Sequence, residues 1–145
     1  MQPPEAFYRG LRLYWQGMYW HAHEAWEDVW RSAEEPYRSW MQALIQIAAA
    51  LIHADRAEWR GVRNLLLRVL RYLRRCPDEI WGVDVRDLER QVQRFLQEVE
   101  SVRMQRRTRF HWSVKPRIHP GDIRTPRWER VRRSPFDVPI RDDTE

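Results

Sequence analysis

The fold turns on residues 37–59, YRSWMQALIQIAAALIHADRAEW. Trp40, Met41, Leu44, Ile45, Ile47, Ala48, Leu51 and Ile52 recur at the three- and four-residue steps of an α-helix. They cover well over half of its circumference, and a helix that apolar sits at the centre of a domain. The remainder is a narrow stripe of Gln42, Gln46, Ala49 and His53, polar and small. It suits either solvent or a polar group on another helix. This central helix is expected from Tyr37 to about Trp59.

Working outward, Glu34-Glu35-Pro36 breaks the chain before it, because the residue preceding proline avoids helical geometry. Upstream, Phe7, Leu11, Tyr14, Trp15 and Met18 have helical spacing, with Gly17 as a stop or a close-packing point. Tyr19 to Ala33 forms a second helix. Successive 100° rotations put Tyr19, Ala22, His23, Trp26, Trp30 and Ala33 on one face. Glu27 lies at the edge of that face and Glu24 further round, while His21 and Asp28 point away. Downstream, Gly61 to Arg75 is amphipathic through Val62, Leu65, Leu66, Val69, Leu70 and Leu73, and Cys76-Pro77-Asp78 stops it. After a turn at Trp81-Gly82, Val85, Leu88, Val92, Phe95, Leu96 and Val99 mark a fifth helix with Asp84 as its N-cap. The fold class is all-α: a partly open bundle of about five helices over residues 5–102.

Beyond Arg103 the periodicity fades. Pro116, Pro120, Pro126, Pro135 and Pro139 forbid long helices, so residues 103–145 read as an irregular tail, extended along the body or disordered. The charge is divided along the same line. Residues 1–102 hold 14 Arg and 15 Asp+Glu, whereas residues 103–145 hold 12 Lys+Arg and 6 Asp+Glu. The net charge of +5 thus belongs to the tail. Arg106, Arg107, Arg109, Trp112, Arg132 and Arg133 make the tail a candidate for an acidic partner or a nucleic acid, arginine tracking phosphate while tryptophan stacks. The alternatives are a solvated tail and one docked on its own body. No zinc finger or glycine-rich phosphate loop supports the nucleic-acid reading.

Other classes are excluded more directly. No apolar run nears the roughly 20 residues that span a bilayer, and the N-terminus lacks the pattern of a signal peptide. Cys76 is the single cysteine, which rules out an internal disulfide. A cytoplasmic location is the expectation. Nine tryptophans bring large buried areas but also indole N–H groups that need partners, and exposed ones on so small a bundle would favour a homodimer.

The sharpest local pattern is His23-Glu24-x-x-Glu27. Four residues apart on a helix, His23 and Glu27 lie side by side and could share a divalent metal ion. Glu24 is then the candidate catalytic base on a metal-bound water, and His53 a further nitrogen ligand. Three protein ligands plus water is the usual form of a catalytic zinc site. Against this, the second histidine of the zinc-protease signature is here a glutamate, and Glu24 lies about 100° from His23. A buried hydrogen-bond network fits the same spacing, with Glu27, Gln46 and His53 satisfying His23. A metal-free ligand pocket is the third reading.

Phe7…Gly17…Ala22-His23-Glu24…Glu27…Trp30, then Leu44-Ile45-Gln46…Ala48-Ala49…His53, Gly61…Asn64-Leu65-Leu66 and Gly82-Val83 resemble the prokaryotic family called domain of unknown function 309. The resemblance spans roughly residues 5–98. It implies a small, all-helical, partly opened bundle whose relatives are often labelled predicted metal-dependent hydrolases. It also implies that Ala22, His23, Glu24, Glu27, Trp30, Gln46 and His53 meet at one site. His21 and the arginine-rich tail lie outside that pattern. Two functions stand against each other: a divalent-metal-dependent hydrolase, and a non-enzymatic scaffold or adaptor whose His/Glu cluster is structural.

Overall fold

A computed structural model describes residues 1–105 and 109–121. Its helices are α1 (Glu5–Trp15), α2 (Tyr19–Trp30), α3 (Tyr37–Asp55), α4 (Trp59–Arg74) and α5 (Val85–Arg103). A two-residue hairpin, Glu79–Ile80 against Val83–Asp84, separates α4 from α5, and a short 3-10 turn occupies Trp112–Val114. The all-α reading holds: each helix packs chiefly on the next, from α1 to α5. α3 is the middle of this array. Trp40, Met41, Ala43, Leu44, Ile47, Ala48, Ala50 and Leu51 are all fully buried on it.

The breaks between helices have identifiable causes. α1 stops at Gly17, whose positive φ of 79° closes the turn. Asp84 caps α5 by accepting a hydrogen bond from the Asp87 N–H at 2.9 Å. The break between α3 and α4 comes earlier than the apolar pattern suggests. α3 ends at Asp55, and Ala57 takes the left-handed turn at φ 57°. Neither glycine nor proline marks this corner, so the sequence runs through it without a punctuating residue. The hairpin turn uses positive φ at both Trp81 (50°) and Gly82 (83°), the geometry that fits a two-residue connection.

α1 and α2 touch closely because residue 10 is glycine. A Cβ there would lie 2.1 Å from Trp26 Nε1. The Trp26 indole is fully buried and donates to the Phe7 carbonyl at 3.1 Å. Two more indoles find carbonyls in the same way, Trp15 on Ile118 (3.0 Å) and Trp81 on Met1 (2.9 Å). Trp40 Nε1 is the exception, buried without a hydrogen-bond partner.

Residues 109–121 lie along the body. Phe110 stacks on Trp59 and packs against Phe95, and Ile118 is fully buried. The Tyr14 hydroxyl donates to Pro116 O at 2.6 Å, and Gln91 hydrogen bonds both backbone groups of Arg117. This strap therefore joins the first helix to the last. No helix among the described residues is long and apolar enough to cross a membrane.

Candidate functional site

α2 carries most of the singled-out polar residues. Its buried face runs through Tyr19, Ala22, Ala25, Trp26 and Val29, between α1 and α3. Inclusion of Ala25 and Val29 turns the helix away from the face expected from apolar spacing. His23 and Trp30 consequently sit at the border, half-buried, and Glu24 is exposed.

His23 stacks flat on the exposed Trp20, with ring centroids 5.5 Å apart and an interplanar angle of 5°. Its Nδ1 is buried without a hydrogen bond and lies 3.7 Å from Glu27 Oε1. Glu24 and Glu27 line an open groove of about 420 Å³ with Arg9, Leu13, His21, Ala25, Asp28 and Arg31. Asp28 is already engaged there, 2.6 Å from Arg31 and 3.5 Å from Arg9. The groove is thus a charged trough in which acids face arginines.

The α3 residues do not close on this pair. His53 lies in the last turn of α3 and contacts Glu58 across the α3–α4 corner, Nδ1 to Oε1 at 2.5 Å. Gln46 is half-buried on the helix wall. Among the described residues no hydrogen bond or ion pair links His23, Glu24 or Glu27 to Gln46 or His53. Nor do three or more His, Cys, Asp or Glu side chains converge to hold a metal ion among the described residues. The expected set of His23, Glu27 and His53 therefore does not fit a catalytic zinc site with three protein ligands. The reason is geometric: the left-handed corner at Ala57 folds Glu58 back onto His53. Trp30 serves locally, under the Arg38 guanidinium at 4.1 Å. Arg38 also donates to the carbonyls of Trp30 (3.0 Å) and Ala33 (3.4 Å), closing the C-terminal end of α2.

In the tail, Arg109 is exposed, while Trp112 packs edge-on against Phe110 with centroids 4.9 Å apart. Arg106, Arg107, Arg132 and Arg133 lie outside the described residues.

Sequence reasoning missed a second polar cleft, of about 310 Å³, where the strap meets α5. Val83, Asp84, Asp87, Gln91, Arg94, Arg117 and His119 line it. Burial, reinforced by Arg117 and Lys115, lowers the His119 pKa to about 4. Lys115 is itself buried, with Nζ 5.4 Å from the ring centres of both Tyr14 and Tyr19. The available signal was the alternation of Lys115-Pro116 with Ile118 and Pro120, a pattern of apolar and proline positions in an otherwise basic stretch.

Against known proteins, residues 7–65 match one family model, described as a domain of unknown function (DUF309). No curated protein matches the chain.

Proposed function

We propose, for a chain whose residues 7–65 belong to the DUF309 family, that the molecule is a non-enzymatic scaffold presenting an arginine-rich tail to an acidic protein partner. The observation that carries this reading is that three of the family-type residues sit in separate local contacts. His53 is held by Glu58, Trp30 by Arg38, and His23 by its stack on Trp20. The strap adds support: Phe110, Pro116 and Ile118 dock this part of the tail on the body.

The test is salt-dependent binding of the full chain to polyglutamate, compared with a variant in which Arg106, Arg107, Arg132 and Arg133 are serine. Truncation is the poorer test, because it would remove the strap as well. Binding that weakens with salt and is lost in the variant supports the reading. A preference for single-stranded oligonucleotide over polyglutamate would instead favour a nucleic-acid partner. No binding to either would end the tail proposal.

The second reading, a divalent-metal-dependent hydrolase, draws on one specific observation. His23 Nδ1 is a buried donor atom without a hydrogen bond, next to the Glu27 carboxylate. That pair supplies two of the ligands such a site requires, and the residue nominated as third is bonded elsewhere.

A further inference from the structure

The strap is held in a manner that does not depend on its belonging to the same chain. Its anchoring hydrogen bonds are made by its backbone: the carbonyls of Pro116 and Ile118 accept from Tyr14 and Trp15. The Arg117 N–H donates to Gln91 Oε1 at 2.8 Å, and Gln91 Nε2 donates to the Arg117 carbonyl at 3.2 Å. A side-chain amide that pairs with both backbone groups of one residue reads an extended main chain, whatever side chain that residue bears. Selectivity comes from the side chains of three positions, one of them His119, whose ring packs on Trp15 with centroids 5.3 Å apart. Lys115 lies against the rings of Tyr14 and Tyr19, and Ile118 is buried completely. Pro116 and Pro120 restrict the backbone and lower the ordering cost of docking.

We infer that the groove between α1 and α5 is a peptide-binding site for an extended Lys-Pro-Xaa-aliphatic segment of a partner protein, and that residues 115–120 are its resident competitor. Tyr14, Trp15 and Gln91 are the reading residues. A tethered segment has an effective concentration on the order of millimolar. A partner segment therefore enters only when it outcompetes the strap or when the strap is released. The site goes beyond the scaffold reading: the charged tail and the groove use different residues and fail separately.

The experiment uses the full chain carrying Ile118→Asp, which places a charge in the buried slot and disables the strap in cis. A fluorescent peptide with the sequence of residues 111–121 is titrated against this variant and against wild type. Saturable binding to the folded variant that exceeds binding to wild type supports the inference. Adding Gln91→Ala should then weaken it about tenfold. Equal binding to variant and wild type, or no binding to a variant whose circular dichroism is unchanged, overturns it. Should Ile118→Asp fail to fold, a protease site inserted between Gln105 and Arg106 of the wild-type sequence replaces it. After cleavage, exchange of the released segment for labelled peptide supports the groove. Retention without exchange, or loss without peptide uptake by a folded body, overturns it.

Discussion

Gly10 lies directly against the Trp26 indole, since a methyl group on residue 10 would fall 2.1 Å from the indole nitrogen. The ring is fully buried and held to Phe7 O, so it has no free direction in which to retreat. Gly10→Ala is expected to destabilise the fold by about 1–3 kcal/mol or more. A denaturant midpoint lowered at unchanged m-value checks this. An unaltered midpoint would mean that α1 and α2 separate more easily than described.

The strap should be separately breakable. Tyr14→Phe removes the donor to Pro116 O and leaves a buried carbonyl unpaired, at a cost of about 1–3 kcal/mol. Hydrogen exchange locates the effect. Amides of residues 117–119 should lose protection while those in the centre of α3 keep theirs.

His119 gives the strap a pH dependence. Burial, then Arg117 and Lys115, depresses its pKa from 6.5 to about 4. Between those values the unfolded chain takes up a proton that the folded chain refuses. The contribution of neutral His119 is therefore complete above pH 6.5 and lost progressively as pH falls toward about 4. Urea titrations at a series of pH values should show wild type losing more stability across this window than His119→Asn. Parallel curves for the two proteins would refute it.

Cys76 should be a poor nucleophile. Its thiol donates to Tyr72 O at 3.4 Å, and burial pushes its pKa up to about 11, with Arg86 opposing and Glu35 adding to the rise. Alkylation by iodoacetamide at mildly alkaline pH is expected to run at least about 100-fold slower than in the urea-unfolded chain. Equal rates would show the thiol to be accessible and ionised.

Much of this architecture was legible in the residues. The largely apolar circumference of α3, the Pro36 break, the Gly17 stop and the Asp84 cap rest on local stereochemistry that one sequence displays. The α3–α4 corner was not, because Ala57 adopts a positive φ that its side chain does not advertise. The rotation of α2 was hidden too. Small alanines at 22 and 25 pack inward as readily as large residues, which shifts His23 from the middle of the buried face to its border. That Glu58 folds back onto His53 depended on where α3 ends, and helical periodicity leaves that undetermined by a turn. The strap was invisible to periodicity for another reason. Its anchoring carbonyls accept hydrogen bonds from Tyr14 and Trp15, more than a hundred residues away along the chain.

The central claim, that the His/Glu residues of α2 and α3 are structural and hold no catalytic metal, meets its most direct test in metal content. Elemental mass spectrometry would be run on untagged protein after incubation with zinc, manganese or iron and removal of free ion, wild type beside His23→Ala. The account predicts no stoichiometric metal in either protein. About one ion per chain in wild type, absent from His23→Ala, would contradict it and establish His23 as a ligand.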